Sequence, residues 1–115
     1  MNNLAYALAV RKNNIQEALP LIEKAYELSK GKILNIVDTM GWIYHLAGQD
    51  EKAVKLLEQA ARSGARNADL HLHFAVVSAA TGDKLAAEIA LKRALEINPK
   101  LEESEEVKQL RAKLR

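Results

Sequence analysis

The sequence predicts an all-α solenoid of three antiparallel helix pairs followed by a C-terminal capping helix. Three observations predict it. Gly48 and Gly82 stand 34 residues apart, and at that same spacing Ala53 is matched by Ala87, Leu57 by Leu91 and Ala60 by Ala94. A fixed period of this length marks stacked helical hairpins. Residues of hydrophobic type make up 49% of the chain but aromatics only 4%, which suits Ala/Leu-rich helices that each bury an apolar face on a neighbour. Gly and Pro are few and fall between the periodic segments apart from Gly41 and Pro20, so no linker or low-complexity stretch interrupts the array.

The first repeat covers about residues 1–32. Its Ala18 and Ala25 precede Ala53 and Ala60 by 35 residues, and Ala5 precedes Gly41 by 36, so the turn Lys12-Asn13-Asn14 carries an extra residue. Asn14 with Glu17 forms a capping box for the second helix of the pair. Pro20 lacks the N–H that would bond Gln16, which predicts a kink or a loosened first turn at a cost of up to ~3 kcal/mol.

The second repeat, about 33–67, reads as a helix from Ile33 to Ala47, a turn at Gly48-Gln49-Asp50, and a helix from Glu51 to Ser63. Gly64 suits the left-handed residue that closes a helix. Asp50 or Gln49 can cap the second helix with a side-chain oxygen. The third repeat, about 68–100, follows the same plan. Ala68 to Thr81 is its first helix, with Asn67 or Asp69 near the start. Asp83 caps the second, Lys84 to Ile97, and Asn98-Pro99 stops it, because the residue before proline resists helical geometry.

The remaining segment, about 101–115, leaves the repeat. Leu101, Val107, Leu110 and Leu114 lie near one helical stripe. Acidic residues fill the first turns and basic residues the last, an order that complements the helix dipole. A terminal helix that covers the last pair with a polar outer face is the expectation.

Bulk properties exclude several functions. The net charge of +2 arises from mixed signs, without the clustered Lys/Arg that nucleic acid requires. There is no cysteine, hence no disulfide, thiolate chemistry or zinc–thiolate site. The longest apolar run, Leu4 to Val10, is far short of a membrane span, so the chain reads as soluble, in cytoplasm or periplasm alike. His71 and His73 are two apart on a helix, about 200° around its axis, and cannot share a metal. His73 reads as a half-exposed helix residue. Asp38 and His45 share a face, but no Ser or Cys is placed as a nucleophile beside them. No enzymatic activity, cofactor or metal is predicted.

The residues resemble the tetratricopeptide repeat (TPR) family along nearly the whole chain. The family pattern runs Trp-x-x-Leu-Gly-x-x-Tyr, then Ala-x-x-x-Phe, then Pro. The second repeat here supplies Val37, Met40, Gly41, Tyr44, Ala53 and Leu57. The third supplies His71, Phe74, Ala75, Ser78, Ala87, Leu91 and Pro99. His71 takes the place of the pattern's Trp, and the resemblance implies that it is packed. Small residues (Gly41, Ala53, Ala60, Ala75, Ala87 and Ala94) stand where paired helices must approach closely. The runs Asn2-Asn3-Leu4-Ala5-Tyr6 and Asp38-Thr39-Met40-Gly41-Trp42 look like the C-terminal repeats of longer bacterial TPR proteins. Counting back from Ala5, Met1 falls about three residues into the first helix. The expectation is therefore a piece of a longer array, with Met1 added.

The resemblance implies that the first helices of the pairs line a concave groove. Helical spacing then selects Asn35, Asp38, Trp42 and His45 in the second repeat, Asp69, Leu72, Val76 and Ala79 in the third, and Asn2, Tyr6 and Ala9 in the first. An aromatic anchor among polar neighbours is the composition of a binding hot spot. In this reading Trp42 and Tyr6 bury an apolar side chain of a protein or peptide partner. Asn35, Asp38, His45 and Asp69 orient its backbone or basic groups. The alternative is a structural C-terminal cap of a longer array, with Trp42 and Tyr6 packed on preceding helices and no ligand contact. Self-association through the open N-terminal helix is a third reading. The clamp by which TPR co-chaperones grip acidic chaperone termini does not fit. No lysine or arginine occupies its positions, and Asp38 would repel carboxylates. RNA-reading helical repeats need basic flanks, and this stripe runs from apolar to acidic.

Overall fold

The computed structural model describes residues 15–63 and 66–114. The first helix of the first pair, with Tyr6, and the expected caps at Asn14 and Gly64 lie outside the described residues. What is described is all-helical, with six α-helices and one 3₁₀ turn: α1 (Ile15–Leu28), α2 (Leu34–Leu46), α3 (Asp50–Arg62), α4 (Ala68–Ala80), α5 (Lys84–Ile97), the 3₁₀ turn (Pro99–Glu103) and α6 (Glu105–Leu114). The described residues fall into two compact units that part between Leu56 and Leu57, inside α3.

In the first unit α1 packs against α2. The α1 contribution is Ala18, Ile22 and Ala25, spaced i, i+4, i+7 so that all three fall on one face, and all are buried. The helix continues on both sides of Pro20. Val37, Met40, Ile43 and Tyr44 form the buried side of α2.

The α2–α3 turn is built by backbone geometry. Gly48 adopts φ +81°, a conformation open to glycine without the Cβ penalty. The Gly48 N–H then donates to His45 O, and the Gln49 N–H to Tyr44 O at 2.8 Å, the paired bonds that close a helix C-terminus. The same construction recurs one period later: Gly82 has φ +88°, and the Asp83 N–H donates to Ser78 O at 2.9 Å. The repeated glycines are thus repeated left-handed stops.

Helix α3 begins one residue earlier than the sequence suggests. Gln49 O accepts the first helical bond from the Ala53 N–H, so Asp50 lies inside the helix. Its carboxylate turns back to His45 rather than capping the helix end.

In the second unit α4 packs along α5, and α6 lies against both. Asn67 caps α4 by accepting from the Leu70 N–H at 3.3 Å, and Asp83 caps α5 by accepting from the Ala86 N–H at 3.1 Å. Leu72, Ala75, Ala90, Leu91, Val107 and Leu110 belong to one buried cluster. Ala75, Ala87 and Ala94 are fully buried, which places small side chains where α4 and α5 meet.

The terminal segment is two elements, not the single helix from Leu101 that its apolar stripe suggests. Asn98 caps the 3₁₀ turn through the Lys100 N–H at 3.2 Å. The Ser104 hydroxyl, on an extended residue, then caps α6 through the Val107 N–H at 3.2 Å. Two caps six residues apart start two elements. Val107 and Leu110 are the buried face of α6, and its remaining residues are mostly exposed. A pairing of Arg111 with Glu102 at 2.7 Å links α6 to the 3₁₀ turn, but in so exposed a position it adds little stability.

Candidate functional site

The stripe of α2 divides by depth. Asn35 is exposed, Trp42 and His45 are half-buried, and Asp38 is buried at 6% exposure. Asp38 is therefore largely withdrawn from solvent.

Trp42 and His45, one turn apart, form a ring pair with centroids 5.0 Å apart and planes tilted by 46°. His45 Nδ1 is 2.6 Å from Asp50 Oδ1, across the Gly48 turn. Asp50 fixes the imidazole and the imidazole flanks the indole, so the α2–α3 corner holds Trp42 as a pre-oriented aromatic surface. Immobilising an anchor before binding reduces the ordering entropy that a partner must overcome. Helical spacing places Trp42 and His45 on one stripe, but the sequence offers Asp50 only as one of two candidate caps, beside Gln49. The available signal was its position five residues after His45, just beyond a glycine stop.

The opposite side of α2 carries a second polar arrangement. Met40 and Tyr44 are each two residues from Trp42, about 200° around the helix. Tyr44 Oη donates to Glu23 Oε2 at 2.9 Å, tying α2 to α1. Lys52 Nζ lies 5.6 Å from the centre of the Tyr44 ring, within cation–π range. Burial first, then the bond to Glu23 and the charge of that carboxylate, push the Tyr44 hydroxyl up to about 12. Glu23 is twenty-one residues from Tyr44, and no local pattern points to the pair.

In the second unit the stripe is largely covered. Asp69 is exposed in the first turn of α4. Leu72 is 2% exposed and belongs to the cluster that includes Val107 and Leu110. The expectation that Leu72 faces a partner gives way to its packing with the apolar face of α6. Val76 is half-buried and rests against the same cluster, as does Ala79. His71 is buried at 3% exposure and His73 half-buried. Among the described residues no group of three or more His, Asp or Glu side chains is arranged to hold a metal ion, and no helix is long and apolar enough to cross a membrane.

Residues 68–101, which comprise α4, the Gly82 turn, α5 and the start of the 3₁₀ turn, match the family model described as tetratricopeptide repeat. No curated protein matches the chain, and no solved structure matches it.

Proposed function

We propose that the chain, whose residues 68–101 match the tetratricopeptide repeat model, is a protein-binding scaffold whose contact surface is the Asn35, Trp42 and His45 stripe of α2. The observation that carries this reading is the relay from Asp50 to His45 to Trp42, which holds a half-exposed indole in place. Trp is among the residues most often found as a binding hot spot. Asn35 offers both donors and acceptors to a partner backbone.

The placement of Leu72 favours a second role for the other unit. With Leu72 buried and Val76 and Ala79 half-buried in the cluster completed by α6, this end acts as the cap of the array. Terminal repeats of solenoids need such a polar cover to remain soluble. The two roles are compatible, one in each unit.

The test is selection of peptides from a random display library on the full chain. Enriched peptides whose binding falls at least tenfold with Trp42→Ala, in a protein of unchanged helicity, support the reading. Peptides that bind Trp42→Ala as tightly as the parent, or no enrichment at all, count against it. Sedimentation in dilute solution addresses self-association directly, and a strict monomer removes that alternative.

A further inference from the structure

The face of α2 turned away from Trp42 borders a crevice of about 450 Å3 lined from three helices: Tyr26 and Glu27 of α1, Met40 and Tyr44 of α2, and Lys55 and Leu56 of α3, with Glu23 and Lys52 completing it. That size lies within the range of sites that accept a small ligand or a few side chains. Met40, Leu56 and the two phenol rings supply the apolar surface.

The charges around it are of two kinds. Glu23 and Lys52 are engaged within the crevice, Glu23 by the Tyr44 hydroxyl and Lys52 over the Tyr44 ring. Glu27 and Lys55 are exposed and have no ion-pair partner among the described residues. One free carboxylate on α1 and one free ammonium on α3 therefore border the same apolar floor.

The next period of the array shows which part of this chemistry is particular to the crevice. The second unit has a crevice of about 290 Å3 lined by Glu58, Arg62, Phe74, Ile89 and Ala90, among others. By spacing, Glu58 and Arg62 stand for Glu23 and Glu27, Phe74 for Met40, and Ile89 for Lys55. There the acidic wall is self-neutralised, with Arg62 3.3 Å from Glu58, and the lysine is replaced by isoleucine. A crevice between successive hairpins is common to both units. The opposed free charges belong to the first.

We propose that this crevice is a second peptide-docking site, for a segment carrying an apolar or aromatic anchor between a basic and an acidic residue. The anchor seats on Met40, Tyr44 and Leu56. The basic residue pairs with Glu27 and the acidic residue with Lys55. Because Met40 and Tyr44 face away from Trp42, this site works independently of the stripe on the other side of α2.

Fluorescence anisotropy with short labelled peptides on the full chain tests it. The probes carry phenylalanine flanked by arginine and glutamate in either order, by two glutamates, or by two arginines. The mixed-charge peptide in its better order is expected to bind about tenfold more tightly than both single-sign peptides, a difference of about 1.4 kcal/mol. Lys55→Glu transfers the preference to the two-arginine peptide, and Glu27→Lys transfers it to the two-glutamate peptide. Both substitutions are at exposed positions, and circular dichroism checks that each variant folds. Trp42→Ala leaves the affinities unchanged. Equal affinities for all probes, no measurable binding, preferences untouched by either charge reversal, or loss of binding in Trp42→Ala each overturn the proposal.

Discussion

Tyr44 donates a 2.9 Å hydrogen bond to Glu23 and is only 9% exposed, so one phenol links α2 to α1. Its pKa is raised from 10.0 to about 12, chiefly by burial and then by Glu23. The folded state therefore holds this proton more tightly than the unfolded state does. The corresponding stability is fully present below about pH 10 and is lost as the pH rises through about 12. The parent protein should lose about 1–3 kcal/mol more than Tyr44→Phe across that interval. Near neutral pH the substitution should cost about 1 kcal/mol for the lost bond. Urea denaturation of both proteins along the pH series checks this, and parallel profiles would contradict the assigned cause.

Ser78 is the counterpart of Tyr44 one period later. Its hydroxyl oxygen is buried without a hydrogen-bond partner. An unsatisfied buried hydroxyl costs free energy, and alanine has the better helix propensity. Ser78→Ala should therefore raise stability by about 1 kcal/mol. The equilibrium unfolding midpoint decides the matter, and a clear loss of stability would mean that the hydroxyl has a structural role.

Leu110 is 2% exposed and lies in the cluster with Leu72. Leu110→Ala should destabilise the protein by about 2–5 kcal/mol through lost transfer energy and the cavity left behind. Amide hydrogen exchange should show lowered protection in α4 and α5 as well as α6. Loss confined to α6 would show that the terminal helix does not support the pair it covers.

The periodic features were the legible ones. The Gly48 and Gly82 stops, the Asp83 and Asn67 caps and the buried alanines follow from local spacing, and α2 to α5 lie within a residue of their expected ends. Four features were not legible, for different reasons. Ser104 was hidden because the leucines on either side of it continue one apolar stripe. The Tyr44–Glu23 bond joins residues far apart in sequence, and the His45–Asp50 contact competes with an equally reasonable helix cap. Leu72 shows the limit of face arithmetic: helical spacing says which residues share a side, but not that another helix covers it. On the α2 stripe Asn35 is exposed and Trp42 half-buried, whereas Leu72 is packed with α6.

Trp42 is the chain's single tryptophan, so its emission reports on the proposed contact without labelling. The most direct measurement is a fluorescence titration of the full chain with a peptide selected on it, combined with acrylamide quenching. A saturable blue shift and a fall in quenching as the peptide binds are the predicted result, because the partner removes water from the indole. Saturation of binding with the emission maximum and quenching both unchanged would contradict the assignment of this stripe as the contact surface.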